Sequence, residues 1–463
     1  MEYFVIGSDI EISMPKECIN ETVKEIIYGF LYRSVNVKIV PQEEFSIRIG
    51  NPQAVDLKDN EGVISVCKSG VFIKAKDERA LINCLFLLLR KAIAENLCEG
   101  EEKILIPCGE ESVAPNISRR MIHFCIVPNV PLSTYKKLFR LAAVLGYTHI
   151  VAEFWGTFQY ESMSELHWKN KSFTKEEISE ILKEARDLKV EVVPMINHFG
   201  HASAARMYLG KHVVLDQNPR KAPLFSPDGW RWNFERDDVI KLLRDMRGEL
   251  YEVFGKGEYF HIGFDEGFSY PSDDESTDAL CKYLKNLCEE IISEGRTPLL
   301  WGDQLLHEPT VGISMKTGDE GNAITQKEAE KLLNCLPEQT VICDWQYSTT
   351  DIPWISAGYF KEKSVNFMVC PKDISANIDA AIKTAKEYNF YGVLHTTWAD
   401  PFERDGVKSL FEAHDMFFNR EKETKKVGNK LADATLMRKI WVADGEYEKA
   451  GWGRNDFDND FSI

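Results

Sequence analysis

Apolar and polar positions along the chain keep one rhythm up to about residue 112 and another beyond it. In the first stretch, short runs with strand character, "EYFVIG", "VNVKIV", "FSIRIG", "GVISVC" and "GVFIKA", are joined by two helical patterns. These are "CINETVKEIIYGFLYRS" and "ERALINCLFLLLRKAIAE", the second apolar over a wide face. Mixed strands and helices in so short a stretch predict a small α+β domain over 1–112.

From residue 117 strand and helix alternate regularly. Strands are predicted at 119–126, 148–154, 190–197, 258–266, 297–305, 340–348, 365–371 and 390–400. Helical patterns separate them at 131–145, 174–188, 237–254, 276–294, 324–336, 355–363, 375–388 and 405–419. Thr174 and Ser375 stand where caps belong. Strands rich in Val, Ile and Phe with little alternation are those of a parallel sheet covered on both faces. Eight such units predict an α/β fold, a (β/α)8 TIM barrel catalytic domain over 113–420. The alternative is a doubly wound sheet, but no GxGxxG follows the first strand. Residues 421–463 are charged, then acidic, and predict a helical C-terminal extension with a loose tail.

Composition adjusts this picture little. A 44% hydrophobic and 11% aromatic content supports a large core. No apolar run approaches the roughly 18 residues of a membrane span. The start, "MEYFVIGSDIEISMP", carries an early glutamate and no basic region, so no signal peptide is expected. A net charge of −17 disfavours nucleic acid and anionic membranes as partners. The 11 cysteines are scattered and form no CxxC pair, which points to free thiols, a reducing compartment and a cytoplasmic location.

Chemistry gathers where the predicted strands end. Glu153 and Trp155 mark the end of the second strand; Asn197, His198 and His201 that of the third; Asp265 and Glu266 that of the fourth. Trp301 and Asp303 mark the end of the fifth, Trp345 and Tyr347 that of the sixth, Trp398 and Asp400 that of the eighth. Barrel enzymes carry their catalytic groups at these carboxyl-terminal ends. Carboxylates among aromatic platforms suit sugars, which present flat apolar faces and many hydroxyls. Glycosidic cleavage requires a proton for the leaving oxygen and stabilisation of an oxocarbenium-like centre, and a carboxyl in a dry pocket beside another carboxylate keeps such a proton. Successive strand side chains alternate, so Asp265 and Glu266 are expected to serve different parts of a substrate. Plainer readings stand beside these: a solvated strand exit for the pair, barrel core for Trp301, Trp345 and Trp398, an interior tyrosine for Tyr347. His198 and His201 have the i, i+3 spacing of a metal pair but lack a third ligand at sensible spacing, so no metal is expected.

"HIGFDEG" resembles the HIGxDE signature of the family 20 glycoside hydrolases, the β-N-acetylhexosaminidases. "SRRMIHF", "VEVVPMINHFGHASAAR", "LLWGDQL", "DWQYS" and "LHTTWAD" resemble the family's other strand segments in order, across nearly the whole chain. The resemblance implies an exo-acting, retaining hydrolase of terminal β-linked GlcNAc or GalNAc, working through the substrate's own acetamide and needing no cofactor. It implies Glu266 as general acid and base, and Asp265 as the group orienting the acetamide. Tyr347 would donate to the acetamide oxygen, Trp301 and Trp398 would wall its methyl group, with Trp345 nearby. Arg119 and Asp400 would hold sugar hydroxyls, with either Arg119 or its neighbour Arg120 facing the pocket. His201, with Glu153 as partner, would sit behind Glu266, and Asp303 would support the pocket. Met195, Asn197 and Gln346 depart from the acidic residues common in the family. A catalytically silent barrel that binds N-acetylhexosamine is the alternative, and a homodimer is left open.

Overall fold

The computed structural model describes residues 2–31, 35–52, 62–99, 104–128, 130–168, 171–202, 213–267, 273–307, 325–398 and 406–419. The predicted C-terminal extension over 421–463 lies outside them, as does Asp400.

The small amino-terminal unit is a six-stranded sheet beside a two-stranded one. β1 (Tyr3–Ile6) pairs antiparallel with β7 (Ile104–Pro107). The larger sheet runs in the order β3 (Asn36–Gln42), β2 (Asp9–Pro15), β4 (Ser46–Gly50), β6 (Gly70–Ala75), β5 (Gly62–Cys67) and β8 (Gly109–Ser112). Helices Glu21–Phe30 and Glu78–Glu99 belong to the same unit. Three strands are additions to the sequence reading. β2 alternates Ile10, Ile12 and Met14 inward, whereas β8, "GEES", has no apolar residue to reveal it.

Eight parallel strands then close into a barrel: β9 (Arg120–Ile126), β10 (His149–Phe154), β11 (Glu191–Met195), β12 (Tyr259–His261), β13 (Thr297–Trp301), β14 (Val341–Trp345), β15 (Asn366–Cys370) and β16 (Gly392–Thr396), which pairs back onto β9. All seven residues of β9 are buried, one face by the barrel interior and the other by the helical layer. The interior is filled by Met121, Val151, Val193, Leu299, Val341, Met368 and Leu394, with Tyr259 and Tyr391 towards one end and Trp301, Trp345, Tyr347 and Trp398 towards the other. Helix Lys175–Asp187 opens with a full capping box between Thr174 and Glu177. Ser375 is not a cap. It is the first helical residue after Ile374, and no side chain caps that end.

The two units are tied by buried or half-buried polar contacts. Arg90 meets Asp415 at 3.0 Å, and Arg140 joins Glu184 of its own barrel layer to Glu25 of the small unit.

Candidate active site

The fourth strand ends early. β12 pairs only over Tyr259–His261, and residues 262–267 leave the sheet in an irregular turn. Phe264 (φ 84°) and Glu266 (φ 47°) are both left-handed, although neither is glycine. Such residues cost on the order of 1–3 kcal/mol and persist where their surroundings hold them. Gly263 (φ 72°) permits the turn, because a Cβ there would overlap the Asn197 side chain.

This backbone overturns one expectation. Alternation along a regular strand would send Asp265 and Glu266 apart, but the left-handed turn brings them to one partner. His201 Nε2 lies 3.3 Å from Asp265 Oδ2 and 2.9 Å from Glu266 Oε2. Both carboxylates therefore lie in close contact with the same imidazole nitrogen. Asp265 is sealed at 2% exposure, whereas the Glu266 side chain keeps 19%. His201 is itself left-handed (φ 51°), and its ring packs on Trp230 at 4.6 Å. Trp230 Nε1 donates to the Glu266 carbonyl at 2.6 Å.

Asp303 braces the same turn from β13. Its Oδ2 accepts the Glu266 backbone N–H (2.8 Å) and the Gln304 amide (3.1 Å), while Oδ1 accepts Trp345 Nε1 (3.2 Å). Burial first, and then the charge of Asp265, push its carboxyl up to about 7. One buried side chain thus positions both the carboxylate turn and an aromatic wall.

The wall itself is continuous. Trp345 stacks on Tyr347 (5.1 Å between centroids), and Tyr347 Oη accepts the Trp398 indole N–H at 2.6 Å. Trp398, also left-handed (φ 47°), lies 5.3 Å from Trp301. Trp301 is fully buried against His261 (4.4 Å) and His123 (5.6 Å). Behind the wall, His123 Nε2 meets Glu153 Oε2 at 3.0 Å, and Asn197 Nδ2 donates to Glu153 Oε1 at 2.7 Å. Glu153, expected beside His201, is held instead by His123 and Asn197 and links β9, β10 and the exit of β11.

The structure moves Arg119 elsewhere. It precedes β9 at the amino-terminal mouth, where its Nε donates to Tyr259 Oη (2.8 Å) and its guanidinium lies over Tyr391. Tyr259 opens β12, at the end opposite the carboxylate turn, so Arg119 cannot reach a sugar held there. Arg120 is no substitute, being buried with its guanidinium on the carbonyls of Ile117 and Gly146. His198 is also turned away from His201. Its Nδ1 is bonded to the Ile196 carbonyl, and burial pulls its imidazole down to about 3.

Sequence reasoning missed His123, Trp230 and His261. His123 sits mid-strand in "RRMIHFCI", where a lone polar residue in a fully apolar run was the available signal. Trp230 comes from a loop and had none. Among the described residues, two clusters here bring ligand-type atoms together, His201–Asp265–Glu266 and His123–Cys125–Glu153. The first is the carboxylate site itself, and the second is closed by the direct His123–Glu153 contact.

A parallel barrel whose strand exits bring two carboxylates to one histidine beside a wall of tryptophans is the arrangement that suits a hydrolase acting on sugars. The comparison with known proteins narrows this: the chain belongs to glycosyl hydrolase family 20, whose catalytic domain matches residues 151–411. It is thus a glycoside hydrolase. Hexosaminidase D of Bos taurus is 27% identical over 210 residues, 42% of this chain and 58% of that protein. The human Hexosaminidase D is 24% identical over 204 residues, 41% of this chain and 40% of that protein. The match thus spans less than two thirds of either relative. In fold, the β-N-acetylhexosaminidase of Bacteroides fragilis aligns over 98% of this chain and 94% of its own, with a TM-score of 0.65 at 15% identity. A mutant Streptomyces plicatus β-hexosaminidase in complex with GlcNAc aligns over 97% and 95%, with a TM-score of 0.66 at 14% identity.

Proposed function

We propose that this chain is an exo-acting, retaining β-N-acetylhexosaminidase that removes terminal β-linked GlcNAc or GalNAc with the substrate's acetamide as nucleophile. The observation that carries the reading is the unequal burial of two adjacent carboxylates on one histidine. Asp265, sealed from water, suits a group that accepts the acetamide N–H and stabilises its developing positive charge. Glu266, closer to the opening, suits a group that must meet both a departing oxygen and an incoming water.

In this reaction the acetamide oxygen attacks the anomeric carbon as the glycosidic C–O bond breaks. Glu266 gives its proton to the leaving oxygen, and an oxazolinium ion forms. Glu266, now a carboxylate, takes a proton from the water that opens that ion, so the configuration is retained. Tyr347 donates to the acetamide oxygen, and Trp345 and Trp398 enclose the methyl group and sugar face, with Trp301 buried against Trp398 as barrel core. The names of the relatives and the GlcNAc held by the Streptomyces fold neighbour support N-acetylhexosamine as the sugar. The free cysteines support action in the cytoplasm on short oligosaccharides or trimmed glycans.

The test is hydrolysis of paired aryl β-N-acetylglucosaminide and β-N-acetylgalactosaminide by wild type, Glu266→Gln and Asp265→Asn. Each variant is expected to lose about 10²–10⁴-fold in kcat, with 2-amino sugars lacking the acetyl group inert even to wild type. Binding of N-acetylhexosamine without turnover would replace the proposal with a silent binding barrel.

A further inference from the structure

At the opposite mouth of the barrel, three adjacent strands begin with ligand-type side chains. His149 opens β10 and stands directly beside Glu191, which opens β11. Glu258 immediately precedes Tyr259, the first residue of β12. His149 Nε2 lies 4.0 Å from Glu191 Oε2 and 3.9 Å from Glu258 Oε2.

Each side chain is oriented from behind. Glu191 Oε1 accepts the Glu258 backbone N–H at 2.6 Å, and Glu258 Oε1 accepts the Tyr259 hydroxyl at 2.6 Å. The His149 side chain is only 6% exposed, and its Nδ1 lies 2.8 Å from Thr148 Oγ1. That hydroxyl is tied in turn to the Arg120 backbone, 3.1 Å from its carbonyl and accepting its N–H at 3.0 Å. His149 Nε2 makes no hydrogen bond and faces two carboxylate oxygens. One nitrogen and two carboxylate oxygens, all ligand-type atoms, thus lie within 4.8 Å of one another.

We propose that His149, Glu191 and Glu258 form a divalent cation site, with the nitrogen and oxygen donors of a zinc site and water as fourth ligand. Zinc takes such donors at about 2.0–2.2 Å, so the three atoms need draw in by only about half an ångström. The partners behind the ligands are the kind that orient metal-bound imidazole and carboxylate. Of the three, Glu191 also lines a cleft of about 720 Å³, together with Asp77, Glu78, Arg79, Arg186 and Lys189. Arg119, 3.5 Å from Glu258 Oε1, opposes the ion and sets a moderate affinity. The bound ion would pin the starts of three consecutive strands, far from Glu266.

The experiment is calorimetric titration of the chelator-treated full chain with zinc chloride, with thermal unfolding alongside, for wild type, His149→Ala and Glu258→Ala. Because His201, Asp265 and Glu266 also bring ligand atoms together, stoichiometry is the first readout. Each variant should bind one zinc fewer, or bind that ion at least tenfold more weakly. Zinc at about 100 times its Kd should raise the wild-type Tm by about 3 °C through that ion, and not the variants'. Hydrolysis by the zinc-free chain should be the same in all three. Glu258 is half-exposed, so its variant folds even if the histidine variant does not. Equal zinc stoichiometry and affinity in wild type and Glu258→Ala, or no binding to wild type at sub-millimolar zinc, would overturn the site.

Discussion

The Tyr347–Trp398 contact separates a residue that touches substrate from one that only holds a wall. Trp398 Nε1 donates to Tyr347 Oη at 2.6 Å, so the phenol uses a lone pair there and not its own hydrogen. Under the proposed reaction that hydrogen goes to the acetamide oxygen. Trp398→Phe keeps the ring that meets His123 and Trp301 and removes the indole N–H. It should lose one net hydrogen bond, about 1 kcal/mol, or roughly fivefold in kcat/KM. Tyr347→Phe loses the same bond and also strands the indole N–H of a strained residue. It further removes a donor to an oxygen that gains charge in the transition state, worth about 1.5–3 kcal/mol. The sum predicts a 10²–10³-fold loss in Tyr347→Phe, most of it in kcat. The double variant should resemble Tyr347→Phe, with a coupling of about 1 kcal/mol. Steady-state kinetics on an aryl N-acetyl-β-glucosaminide decides the matter. A Tyr347→Phe loss no larger than that of Trp398→Phe, or one confined to KM, would remove Tyr347 from the reaction.

Two further outcomes follow from the turn and its brace. Gly263→Ala places a methyl group against the Asn197 side chain at a left-handed position. It should cost about 2–3 kcal/mol, lower Tm and cut kcat more than tenfold, and an unchanged melting curve would show that the turn relaxes freely. Asp303 titrates at about 7 in the folded chain against an ordinary 3.8. Between those values the folded state holds a proton that the unfolded state has lost, so stability falls as pH rises from about 4 to about 7. The effect is on the order of 2–4 kcal/mol and is absent from Asp303→Asn. Urea unfolding of both proteins across that window should therefore diverge, and parallel pH profiles would refute the assignment.

The barrel was legible because a parallel sheet covered on both faces writes each strand as an uninterrupted apolar run. All eight barrel strands fall within the runs read from sequence. The candidate site was legible for a related reason. Polar and aromatic residues that follow an apolar run emerge at the carboxyl-terminal mouth, and Glu153, His201, Asp265, Glu266, Asp303, Trp345, Tyr347 and Trp398 all follow one. Arg119 was misplaced by neglect of that same rule. It precedes its run, and a residue before a barrel strand emerges at the other mouth, where it meets Tyr259 and Tyr391. The same logic explains why His149, Glu191 and Glu258 share a level: each stands at a strand start. What sequence could not supply is the conformation of the turn. Nothing in "GFDEG" marks Phe264 and Glu266 as left-handed, since glycine is the usual sign and it stands at neither position. Regular alternation would have separated the carboxylates. Their convergence on His201 is stored in two strained residues, braced by Asp303 and by the side chain of Asn197. The strain and the chemistry therefore rest on the same few residues. A substitution that relaxes the turn should gain stability and lose catalysis together.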